Sequence, residues 1–73
     1  AQPLFDALRE LRTRLAREQG VPPYVIFQDK TLLEIAHAEP GDLAGLGAVA
    51  GVGQSKLDRY GKGVLETLAA LQA

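Results

Sequence analysis

Gly51-Val52-Gly53-Gln54-Ser55-Lys56-Leu57-Asp58-Arg59-Tyr60-Gly61 is the stretch on which the fold turns. Two glycines flank one apolar residue, and a helical pattern follows. Glycine takes up positive φ without steric cost and lets another group approach the backbone closely. Gly51-Val52-Gly53 therefore reads as a tight hairpin between two helices, with Val52 plugged into the core. The amides of Gly53, Gln54 and Ser55 begin the next helix without intrahelical acceptors. Water satisfies such amides in the plain case; in the sharper one they bind phosphate. A strained turn at this point predicts that Gly53→Val costs about 1 to 3 kcal/mol of stability.

Downstream, Leu57, Tyr60, Val64, Leu65, Leu68 and Leu71 form the apolar stripe of a helix over about Gln54 to Leu71. Gly61 lies on that side, so another helix can come close there. The opposite face carries Lys56, Arg59 and Lys62, with Asp58 one turn from Lys62 and able to pair with it. Upstream of the hairpin, Leu43, Leu46, Val49 and Ala50 suggest a short helix, weakened by Gly45 and Gly47 and capped by Asp42. Before it, Leu32, Leu33, Ile35, Ala36 and Ala38 supply the apolar side of a helix that Pro40 ends. Asp29 suits its cap, and Thr31 to Glu34 also fits a capping box. His37 sits near the end of that helix, where a protonated imidazole would meet the negative dipole favourably.

Val21-Pro22-Pro23-Tyr24-Val25-Ile26-Phe27 is the second informative stretch. Its prolines forbid a helix before Pro23, which can itself open a short one. Val25, Ile26 and Phe27 are too apolar to lie exposed together, so at least two of them should pack under the first helix. Periodicity favours partial burial of the Tyr24 ring with its hydroxyl at the surface. The alternative offers that ring as a stacking platform for a base. The first helix itself is expected from Pro3 to Gln19, on the spacing of Leu4, Phe5, Leu8, Leu11 and Leu15, with Gly20 as its stop. Arg9, Arg12, Arg14 and Arg17 are assigned to its outer face with Asp6, Glu10 and Glu18, where one-turn pairing partly cancels the arginine row.

No strand-like alternation, repeat or linker interrupts these patterns. The expected fold is all-α, a compact bundle of about five helices, two of them short, with a helix-hairpin-helix-like C-terminal half. The 73 residues suffice for one small domain over residues 1–73 with a small, marginally stable core, and an initial Ala rather than Met suggests a piece of a longer protein. Cysteine is absent and His37 is the only histidine, which leaves no disulfide, thiolate site or multi-histidine site. No metal, cofactor or membrane segment is expected. No carboxylate cluster or nucleophile–base pair points to catalysis. With 8 Lys and Arg against 9 Asp and Glu, the net charge of −1 argues against nucleic-acid binding by bulk charge.

Taken together, Val21 to Phe27, Asp29, Thr31-Leu32, Ile35-Ala36, Pro40, Gly51-Val52-Gly53, Lys56-Leu57 and Tyr60-Gly61 resemble an HRDC domain, the helicase and RNase D C-terminal module. The likeness covers essentially the whole chain and is nearer to the bacterial RecQ DNA helicase branch than to the RNase D branch. It implies a non-catalytic helical bundle appended to a helicase motor, in a cytoplasmic and nucleoid-associated setting. Its partners would be single-stranded or branched DNA, bound weakly, and the other domains of the parent helicase, in DNA repair and recombination. Tyr24 falls where an aromatic residue of this family can contact single-stranded DNA, and Lys56 matches the lysine of the motif. Arg59, Lys62 and Arg17 join them as candidate phosphate contacts, about two or three phosphates in all. A module for protein or interdomain contacts is the alternative, with Glu34, Glu39, Asp42 and Asp58 facing a basic surface. An RNA-binding tail of an RNase D-like nuclease is a third.

Overall fold

A computed structural model describes residues 2–72 as five helices, α1 Gln2–Gln19, α2 Pro23–Ile26, α3 Asp29–Ala38, α4 Leu43–Gly47 and α5 Gln54–Gln72, and no strand among the described residues. The expected all-α bundle with two short helices is what forms. At a rise of about 1.5 Å per residue, the 18 residues of α1 run about 27 Å, close to the 30 Å longest dimension of the molecule. This helix is the spine: α2, α3 and α5 all pack against it, while α4 packs on α5. Leu4, Leu8 and Ala16 from α1 meet Ile26 and Phe27, Leu32 and Ile35 from α3, Leu46 from α4, and Val64 and Leu68 from α5 in a single core.

The punctuation follows the local chemistry. Gly20 takes φ +66 after α1, and the Val21 amide donates back to Ala16 O at 3.0 Å, closing a Schellman turn. Pro22 is extended and Pro23 opens α2. Asp42 caps α4 by accepting from the Gly45 amide at 2.7 Å. Glu39 ends α3 in the left-handed region at φ 46, where Pro40 blocks continuation of the right-handed helix.

Four expectations about helix ends and turns need correction. Asp29 is not the cap of α3 but its first residue, after Gln28, and its carboxylate turns to α1. Thr31 is buried in the first turn and forms no capping box. Gly51 rather than Gly53 carries the demand of the hairpin. Gly51 has φ +90, and a Cβ there would run into Thr31 Oγ1, whereas Gly53 has no positive φ and open space around it. The expected penalty for Gly53→Val therefore moves to Gly51. Finally, α1 begins at Gln2, one residue before Pro3. Val52 is buried as expected. Gly61 is where α4 comes close, since a Cβ there would stand 2.8 Å from Leu43 Cδ2.

Candidate nucleic-acid interface

Two of the three apolar residues after Tyr24 do pack inward: Ile26 and Phe27 are buried, and Val25 stays half exposed. The Tyr24 ring, for which partial burial was the favoured expectation, is instead 67% exposed. A single helical turn explains the split. Over four residues, α2 can face only one side toward α1, and Ile26 takes it. Tyr24 and Val25 are left side by side on the outside, an aromatic face beside an aliphatic one.

A turn this short has little stability of its own, and two charged side chains hold it from opposite sides. Lys56 Nζ, from the start of α5, donates to Val25 O at 3.0 Å and to Ile26 O at 2.5 Å. Arg12 Nη1, from α1, donates to Phe27 O at 3.0 Å and to the Asp29 carboxylate at 2.6 Å. Three successive carbonyls at the C-terminal end of α2 thus each receive a cation, the end where the helix dipole favours positive charge. Lys56 also lies 5.4 Å above the Phe27 ring, which meets the Tyr60 ring edge-on at 5.8 Å. The Tyr60 hydroxyl pairs with the Gln19 carboxamide at 2.9 Å, and Arg59 covers the Tyr60 ring at 5.7 Å. Lys56 and Arg59 thus join the start of α5 to the carbonyls that follow Tyr24 and to the Phe27–Tyr60 ring pair.

Lys56 was expected to be free for phosphate, and two of its three donors are engaged. Arg12 was assigned to the outer face, and it is 8% exposed. The signal for both lies in their phase. Leu4, Leu8, Arg12 and Ala16 recur every four residues and are all buried. Likewise Lys56 extends the buried row of Tyr60, Val64 and Leu68 by one turn. A charge in step with a buried row points inward and requires a partner there.

The remaining cations are freer. Arg59 and Lys62 are exposed on α5, three residues apart, and continue outward from Lys56. Asp58 does not pair with Lys62; it accepts from Gln54 Nε2 at 2.7 Å. Arg17 is exposed on a separate strip along α1 with Arg9, Arg14, Glu10 and Glu18. The expected neutralising pairs along that strip do not form, and among the described residues Arg12–Asp29 is the one ion pair. Of the four acids in the alternative interface, Asp42 caps α4, Glu39 accepts from Gln72 at 3.0 Å and Asp58 is held by Gln54. Only Glu34 among them has no partner among the described residues. No group of three or more His, Cys, Asp or Glu among the described residues could hold a metal ion, and no described helix is long and apolar enough to cross a membrane.

Comparison with known proteins gives the geometry a context. The family model for the HRDC domain matches residues 1–68. The chain is 42% identical over 67 residues to the ATP-dependent DNA helicase RecQ of Bacillus subtilis, covering 92% of this chain and 11% of that protein. It is 48% identical over 63 residues to the ATP-dependent DNA helicase UvrD2 of Mycobacterium tuberculosis, covering 86% of this chain and 9% of that one. The solved structure of D. radiodurans RecQ HRDC domain 3 superposes with a TM-score of 0.92 at 36% identity, covering 94% of this chain and 91% of that one. The chain thus spans about a tenth of the length of the curated relatives it matches.

Proposed function

The chain belongs to the HRDC family, the accessory domain of RecQ-type helicases, and on that premise we propose that it tunes how a parent helicase engages single-stranded or branched DNA. The observation that carries this reading is Tyr24, a ring 67% exposed on a turn fixed by two other helices. An exposed aromatic residue on a rigid support loses little conformational freedom on stacking, which favours binding. Arg59 and Lys62, exposed on α5, supply the phosphate contacts. Arg17 lies on the outer strip of α1 and would meet only a strand long enough to wrap that far. In the parent protein the domain serves repair and recombination by holding the strand that the motor handles.

Tyr24→Ala is expected to weaken binding of a labelled oligonucleotide by about 1 to 3 kcal/mol, with an unchanged circular-dichroism spectrum. Loss of binding together with loss of fold would assign the ring to the core instead. Charge gives a second test. Each phosphate neutralised contributes about −0.7 to the log–log salt slope for single strands. With Arg59 and Lys62 as the free cations, the slope is expected near about −1.4, and binding is weak at physiological salt. Arg59→Ala should make the slope shallower by about 0.7. A much steeper slope with tight binding contradicts this charge map. No binding at low salt moves the function to the interdomain-contact alternative.

A further inference from the structure

Lys56 stands in the position where a phosphate contact was expected, yet its ammonium points into the protein. It reaches across 30 residues of sequence to the Ile26 carbonyl at 2.5 Å, and to Val25 O at 3.0 Å. Its charge lies over the Phe27 ring and its side chain is half-buried. From the other side Arg12 holds the next carbonyl, Phe27 O. We propose that Lys56 is a positioning residue: with Arg12 it clamps the C-terminal carbonyls of α2 and so fixes the orientation of the Tyr24–Val25 surface, acting on the ligand through Tyr24. This rests on the stacking reading above and assigns Lys56 a role within it.

The physical case is one of competing partners. A phosphate must draw the ammonium away from two backbone carbonyls that have no other cation. Unmaking charge-assisted hydrogen bonds at the end of α2 offsets most of what the new contact contributes. Keeping those bonds leaves Tyr24 pre-ordered, so that stacking does not carry the cost of ordering the turn. Lys56 and Arg59 differ in just this respect: Arg59 is exposed, with its guanidinium resting on the outer face of Tyr60, and can turn to a phosphate without uncapping anything.

The two roles separate in a double-mutant cycle on the 73-residue chain. Lys56→Met keeps the stem and removes the charge. It is expected to weaken oligonucleotide binding about two- to tenfold, with the salt slope unchanged, whereas Arg59→Ala lowers the slope by about 0.7. In a Tyr24→Ala background the Lys56→Met effect is expected to vanish, because the group being positioned is gone. A readout without ligand completes the test. Hydrogen exchange at the Phe27 amide, which donates to Pro23 O at 3.4 Å, should accelerate about two- to tenfold in Lys56→Met. A slope reduced by about 0.7 and a loss that adds to that of Tyr24→Ala make Lys56 a phosphate contact and overturn the proposal. Unchanged exchange at Phe27 overturns it whatever the binding data show. Should Tyr24→Ala itself bind normally, the stacking reading fails, and the exchange measurement still decides whether Lys56 holds the turn.

Discussion

Gly51→Ala is expected to destabilise the chain by about 2 to 6 kcal/mol. Two separate penalties combine. At φ +90 an L side chain is strained, which costs about 1 to 3 kcal/mol. The new methyl also runs into the Thr31 side chain, with Thr31 Cβ and Cγ2 each 3.3 Å from it in addition to the hydroxyl. Overpacking of that kind costs about 1 to 3 kcal/mol more. Thr31 is itself buried on α3, so it has little room to retreat. Thr31→Ala in the same background should return the packing share and leave the backbone share, measured against Thr31→Ala alone. Gly53→Ala, two residues on, should stay within about 0.5 kcal/mol. Chemical denaturation reads all four variants as midpoint shifts at constant m. An unchanged midpoint for Gly51→Ala would contradict the close approach of the hairpin to α3.

Ile26→Ala is the second large effect, about 2 to 5 kcal/mol, the range for truncating a fully buried aliphatic side chain. Ile26 is 0% exposed and is the only residue of α2 that is buried. Its neighbour Val25, 47% exposed, should tolerate the same truncation to within about 0.5 kcal/mol. Adjacent residues of similar shape thus differ several-fold in expected cost. For a domain whose total stability is about 5 to 15 kcal/mol, and for a chain this small nearer the lower figure, Ile26→Ala removes a large share. Equal midpoints for the two variants would show that α2 does not sit on α1 as described.

The helix order, the hairpin, the buried Val52 and the close approach at Gly61 were all legible along the chain, because each rests on spacing within a few residues. What was not legible depends on groups far apart in sequence. Which hairpin glycine has no room for a side chain depends on Thr31, twenty residues upstream. Asp29 looked like a cap because nothing local shows that Arg12 claims its carboxylate. Lys56 looked free because its acceptors belong to a turn 30 residues earlier. Arg12 and Lys56 nonetheless left a trace, a positive charge in register with a buried row, and that trace locates the bracing of α2. The exposure of Tyr24 followed from the brevity of α2, which apolar composition alone does not reveal.

That brevity has a consequence for how such a domain changes over generations. Position 24 projects from a turn whose stability resides in Ile26, Lys56 and Arg12, and the Tyr24 side chain itself makes no hydrogen bond or ring contact within the described residues. On the proposed stacking role, a different residue there would alter what the surface recognises while leaving the packing beneath it intact. Under that role, ligand preference and foldability would be uncoupled at one codon, so new specificities could be sampled without first acquiring compensating mutations elsewhere.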